Sequence, residues 1–289
     1  MIKTNMETIS IPKEFNYVGV FLTFKCGFKC TYCINKHGVL KARRELDAKE
    51  WIAGLNRIQT RNDLPITLSG GEPTCYTGFY GLVTGVDKRL PLDLLTNLDF
   101  DIEEFKRNVS PDRFKRDSKY ASIRVSYHPT GHNVLNLCEN VLSLLRAGYS
   151  IGIWGILHPD PVVRMKVLAA QRVATQLGID FRTKEFLGVW KGKLWGTYRY
   201  MDEGNSKVCA CKTTEMLVDP AGSIFRCHSD LYANRNPIGH LLDKKVPSLG
   251  DWRRCTHYGT CSPCDLKVKY NRFQQMGHCA VEIKSTKAE

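Results

Sequence analysis

The chain has no apolar run approaching the roughly 18 residues that a membrane-spanning helix needs. Its first residues, Met1 to Lys13, are polar and lack the apolar core of a secretory leader. There is no internal repeat, no low-complexity tract and no block of like charge, although the formal net charge is +13. An excess so dispersed does not mark a nucleic-acid arm, and neither nucleic acid nor membrane is expected as a partner. Solubility, or a substrate bearing phosphate or carboxylate, accounts for it. The eight histidines show no metal-ligand spacing. Cysteine, by contrast, is plentiful, with twelve in 289 residues. In a chain without a leader these argue against a disulfide framework and for metal binding in a reducing cytoplasm.

Three cysteines, Cys26, Cys30 and Cys33, form a C-x3-C-x2-C loop directly after the apolar segment Val18 to Phe24. Thiolates this close suit an iron–sulfur cluster, because several sulfurs must converge on one small body of iron. Here too an absence matters: Ile34, Asn35, Lys36 and His37 follow where a ferredoxin-like run would place a fourth cysteine. A 4Fe–4S cubane held here keeps one iron open, and an open iron invites chemistry. The competing readings are a zinc site or three unrelated buried thiols.

Strands alternate with helices through the first two thirds. Strands are expected at Tyr17–Phe24, Pro65–Leu68, Leu92–Leu95, Ser122–Tyr127, Ser150–Leu157 and Asp180–Phe186. Helices are expected at Ala48–Thr60, Gly78–Asp87, Asp101–Asn108, Asn133–Ala147 and Val162–Leu177. Six β–α repeats imply an α/β fold with a parallel sheet, doubly wound or curled into a partial barrel. The second strand runs into Ser69-Gly70-Gly71-Glu72-Pro73-Thr74, two glycines that admit close backbone approach, a carboxylate and a stiff exit. The cysteine loop and this loop follow adjacent strands, at the carboxyl end where such folds build active sites.

With these motifs the chain resembles the radical S-adenosylmethionine (SAM) enzymes over residues 14–188. The resemblance implies a partial (β/α)6 TIM barrel in which Cys26, Cys30 and Cys33 hold a 4Fe–4S cluster whose open iron binds SAM. It also implies SAM contacts from Gly70, Gly71, Glu72 and Pro73, with Thr96, Asn97, Ser126, Ile153 and Gly155 as further cofactor-binding positions. His158 stands where the family has an acid. An external electron donor such as flavodoxin or ferredoxin would reduce the cluster. The expected activity is an oxidoreductase or epimerase one: SAM is cleaved to a 5′-deoxyadenosyl radical, which takes a hydrogen atom from a small polar substrate, ending in dehydrogenation or epimerisation. Peptide modification is the alternative. A non-catalytic electron carrier or zinc-stabilised module is the alternative of another class, but a carrier has no need of Gly70 to Pro73.

Past a connector at 189–207, residues 208–289 hold seven of the twelve cysteines. A hairpin is expected from Met216 to Arg226 around Pro220-Ala221-Gly222. The segment resembles SPASM and twitch extensions, which implies one or two auxiliary 4Fe–4S clusters. Cys209 or Cys211 (or both), Cys227 and Cys264 would serve the first, with Cys261 joining Cys264 there in a twitch arrangement; Cys255, Cys261 and Cys279, with Asp251 conceivable, would serve a second. Trp252 stands where a full SPASM pattern has a cysteine. A zinc ribbon is the competing reading. Cysteines left over, with Cys255, Cys279 and Cys75 as candidates, could donate a hydrogen atom in an epimerisation.

Overall fold

Apolar strands buried on both sides form the centre of the molecule, as a parallel sheet covered by helices requires. The structure is a computed structural model that describes residues 6–33, 40–61, 64–196, 207–258, 261–266, 269–271, 274–278 and 280–284. Its barrel strands are β1 (Tyr17–Thr23), β2 (Ile66–Gly70), β3 (Leu92–Thr96), β4 (Ile123–Tyr127), β5 (Ile151–Leu157) and β6 (Phe181–Glu185). Neighbours pair in parallel in sequence order. Helices α1 (Ala48–Leu55), α2 (Phe79–Gly85), α3 (Ile102–Asn108), α4 (Val134–Arg146) and α5 (Pro161–Gln176) make the crossovers. The result is the expected partial barrel. Asp47 and Glu50 close a capping box on α1, and Asp160 with Pro161 starts α5.

One helix is shorter than its sequence pattern predicts. α1 stops at Leu55 rather than Thr60, and Ile58–Gln59 pair as a strand with Ile9–Ser10. Arg57 supplies the reason: its guanidinium donates to the carbonyls of Glu7, Leu241 and Asp243, which pulls the chain out of the helix.

The sheet continues past β1. Beyond the connector lie β7 (Lys207–Thr213), β8 (Glu215–Val218), β9 (Ser223–Phe225), α6 (His228–Ala233), β10 (Gly239–His240), β11 (Arg253–Tyr258), α7 (Pro263–Leu266) and β12 (Val281–Lys284). β8 runs parallel to β1, and one nine-stranded sheet results, in the order β10-β9-β8-β1-β2-β3-β4-β5-β6. The expected hairpin is β8–β9. Asp219 accepts from the amides of Ala221 and Ser223, and Gly222 turns the chain at φ +91°. A separate antiparallel sheet, β11-β7-β12, carries Cys209, Cys211 and Cys255. Among the described residues no helix is long and apolar enough to cross a membrane.

Side chains alternate between the two faces of each barrel strand. Val20, Leu68, Leu94 and Ile123 stand in register and are fully buried in the apolar core. The opposite face carries Thr67 and Asp93 in one row, Leu95 and Arg124 in the next, then Ser126, Trp154 and Arg182. A polar face inside an apolar sheet marks the concave side of the barrel as the place for a ligand.

Candidate active site

The cysteine loop is fixed to the barrel by its neighbours' backbone. The Gly71 amide donates to the Thr23 carbonyl at 2.8 Å, and the Glu72 amide to the Lys25 carbonyl at 2.8 Å. A Cβ on Gly70 would lie 2.2 Å from the Thr23 oxygen, and one on Gly71 the same distance from the Lys25 oxygen. Gly70 also sits at φ +139°. What approaches these glycines closely is therefore the cysteine loop itself, a reason for them that the sequence did not show.

Glu72 is a bracket. Only 1% exposed, it accepts from Thr96 Oγ1 (2.8 Å), the Asn97 amide (2.7 Å), Thr74 Oγ1 (2.9 Å) and the Thr74 amide (3.3 Å). Burial pushes its carboxyl up, against those hydrogen bonds. The bracket joins the ends of β2 and β3, and Asn97 reaches on to the loop, its Nδ2 donating to Cys26 Sγ at 3.8 Å. The other side of the loop is held as well. Tyr32 OH lies 3.1 Å from His128 Nδ1, the His128 amide donates to His132 Nδ1, and His132 Nε2 then carries the proton to the Asn97 carbonyl at 2.7 Å. Burial lowers His128 to about 4 and also lowers His132, so both rings stay neutral. The link from His128 through His132 to Asn97 is visible only in three dimensions.

The other predicted positions divide. Ser126 faces the concave side beside Trp154. Ile153 is fully buried in the helix-covered core, and a Cβ on Gly155 would meet Val167 of α5 at 2.5 Å. These two do not share the face of Ser126. Pro73 is buried at the start of a short 3-10 turn. His158 is buried against the rings of Tyr32, Phe186 and Trp190, at 5.3, 4.8 and 4.5 Å. Cys75 sits against the cluster loop, where the Gly27 amide donates to its sulfur.

The late cysteines gather about β7. Cys209 stands opposite Cys255 of β11, and Cys209 and Cys211 share an apolar cluster with Cys255 and Cys261. Cys227 caps α6, its sulfur accepting the Asp230 amide at 3.4 Å. Arg226 lies between the two groups. Burial works against its charge, yet Cys211, Cys227 and Asp230 beside it more than offset this and hold it above its ordinary range. Next to Cys264, the Asp265 carboxylate accepts from the His228 amide, His228 Nδ1, the Ser229 amide and Ser229 Oγ. Burial opposes that charge, but the hydrogen bonds win and lower Asp265. Glu215 Oε2 lies 3.4 Å from the same His228 Nδ1. Asp251 is exposed and takes its hydrogen bond from Ser248 Oγ. Cys279 falls outside the described residues, as do Tyr198 and Tyr200.

The residues present fit an iron–sulfur group with SAM. Three partly exposed thiols share one loop, and an amide donor already points at one of them. Each would bind metal as its thiolate, giving up its proton. Known proteins agree. The GTP 3′,8-cyclase of Moorella thermoacetica is 29% identical over 272 residues, covering 88% of this chain and 82% of the relative. That of Pelotomaculum thermopropionicum is 27% identical over 214 residues, covering 65% of this chain and 61% of the relative. In fold the chain resembles native anSMEcpe with bound AdoMet and Kp18Cys peptide, at TM-score 0.55 and 13% identity, covering 82% of this chain and 78% of that one. It also resembles Streptococcus suis SuiB bound to precursor peptide SuiA, at TM-score 0.50 and 12% identity, covering 84% of this chain and 65% of that one. No family model matches. The cysteine loop, the glycine–glutamate bracket, the parallel half-barrel and these relatives together support one reading, a radical SAM enzyme.

Proposed function

We propose that this enzyme removes a hydrogen atom from a small polar substrate held on the concave face of the barrel, and that the outcome is a dehydrogenation. When bound to Cys26, Cys30 and Cys33, the cluster and SAM would supply a 5′-deoxyadenosyl radical. The chain's own residues do the rest. Glu72, Thr96 and Asn97 fix the loop in place, so that little rearrangement is needed during turnover. The rings of Tyr32, His158 and Trp190 close the carboxyl end of the sheet against water. An external reductant such as flavodoxin or ferredoxin would supply the first electron.

The fate of the hydrogen-donor cysteines carries the choice of outcome. Epimerisation needs a thiol facing the substrate. Cys255 is engaged with Cys209 and Cys211, and Cys75 lies on the Gly27 amide of the cluster loop. Neither lies on a barrel strand, and the third candidate, Cys279, falls outside the described residues. Dehydrogenation needs instead a centre that accepts an electron, and the cysteines grouped about β7 can ligate one, an auxiliary cluster. A small polar substrate is supported by the sequence relatives, whose name gives them a nucleotide. The likeness to peptide-bound structures is one of fold.

Turnover in D2O with GTP and a panel of small nucleotides and sugars, read by mass spectrometry, tests this. A product lighter by two hydrogens supports dehydrogenation. A product of unchanged composition that has gained one deuterium from solvent points to epimerisation and overturns it.

A further inference from the structure

The amino end of the concave face holds a charge that is not balanced. Asp93 on β3 is fully buried, and a lone acid in the apolar run Leu92-Asp93-Leu94-Leu95 calls for partners. It has two. Arg116 donates from Nε at 2.7 Å and from Nη2 at 2.9 Å, and Arg124 of β4 donates from Nη2 at 3.1 Å. Two guanidiniums against one carboxylate leave one positive charge over. Both lean on the ring of Tyr120, at 4.7 and 5.3 Å. Arg124 Nε is buried and finds no acceptor among the described residues, while Arg116 is also held by the Tyr120 hydroxyl.

Unmet donors on a buried guanidinium are costly, and a fold tolerates them best where a ligand brings the acceptor. Of the two arginines Arg124 is the one within reach, with 19% of its side chain exposed against 8% for Arg116. The acids on the neighbouring wall turn to other groups. Asp265 takes four hydrogen bonds from His228 and Ser229, and Glu215 lies against the same histidine. Register puts Arg124 one row below Ser126, while the cysteine loop leaves the opposite end of the strands. The net positive charge of the chain points to an anion as well.

We propose that Arg124 anchors an anionic group of the substrate, a phosphate or a carboxylate, at the floor of the barrel. An anion there meets the exposed part of the Arg124 guanidinium, leaves Asp93 to Arg116, and directs the rest of the substrate toward the cysteine loop. This rests on the concave face being the substrate chamber, but its test does not depend on SAM cleavage.

The anaerobically reconstituted protein is heated with inorganic phosphate, with succinate, and with chloride at matched ionic strength. Phosphate or succinate, whichever class is right, raises the unfolding midpoint by a few degrees beyond chloride. Arg124→Gln abolishes that rise and Arg124→Lys, which keeps the charge but not the fork, weakens binding about tenfold. In the parent protein the same anion slows modification of Arg124 by an arginine-specific dicarbonyl, mapped by mass spectrometry, so a variant that fails to fold does not remove the test. No stabilisation beyond chloride, an undiminished rise in Arg124→Gln, or unprotected Arg124 overturns the proposal. Formation of 5′-deoxyadenosine without anion binding would sink this inference alone; anion binding without it would sink the enzymatic reading and leave the site.

Discussion

The two cysteine regions are built on opposite plans. Cys26, Cys30 and Cys33 lie on a loop, partly exposed, and are held from outside by the backbone of Gly71 and Glu72 and the amide of Asn97. Cys209 and Cys211 lie on a strand, buried, and meet further thiols from β11 and the turn after it. Burial pushes the Cys211 thiol well above its ordinary range, with Arg226 opposing. The first plan leaves room beside the metal and puts the effort into holding the loop still. The second would surround a metal with its own ligands. An open centre fits bond-making, and a closed one fits electron storage or structure.

Breaking the loop's support should have the largest effect. Gly71→Ala places a methyl carbon against the Lys25 carbonyl, and iron bound by the N-terminal loop should fall as far as it does in Cys30→Ala, while circular dichroism shows the barrel intact. Glu72→Gln comes next. It turns one oxygen of a buried carboxylate that accepts four hydrogen bonds into an amide donor, and should cost about 3 kcal/mol in denaturant unfolding. Loss of SAM binding should accompany it.

Acid gives a smaller effect with a definite sign. His128 is lowered from its ordinary 6.5 to about 4 by burial, so its contribution is full above 6.5 and is lost as pH falls toward 4. Stability should drop on the order of 2 kcal/mol across that window. The slope should become shallower in His128→Leu, with His132 supplying what remains, measured as unfolding midpoint against pH. The C-terminal region should respond least. Arg226→Gln removes a cation beside Cys211 and Cys227, and Asp230 keeps Arg235. About 1 kcal/mol of stability should be lost, together with faster release of C-terminal metal to a chelator. An equal loss of metal from both regions would break the comparison.

Strand order, crossover helices and the cysteine loop are legible in the sequence because they rest on local signals: runs of apolar residues, capping residues and thiol spacing. What escapes it depends on contacts far apart in the chain. Arg57 ends α1 through carbonyls at Leu241 and Asp243. β8 joins the sheet beside β1, which brings Glu215 opposite Tyr17. The roles of Glu72 and of the His128–His132 pair are of this kind too, since their partners lie on other strands. Asp93 did leave a local sign, an acid within an apolar strand, but its arginines come from β4 and from the loop before it.

The central claim is that Cys26, Cys30 and Cys33 support reductive cleavage of SAM. Anaerobically reconstituted protein is incubated with SAM and dithionite, and 5′-deoxyadenosine is measured by mass spectrometry beside Cys30→Ala. Product in the parent and none in the variant is the predicted result. Iron bound by the parent with no 5′-deoxyadenosine formed, or equal product in both proteins, would contradict it.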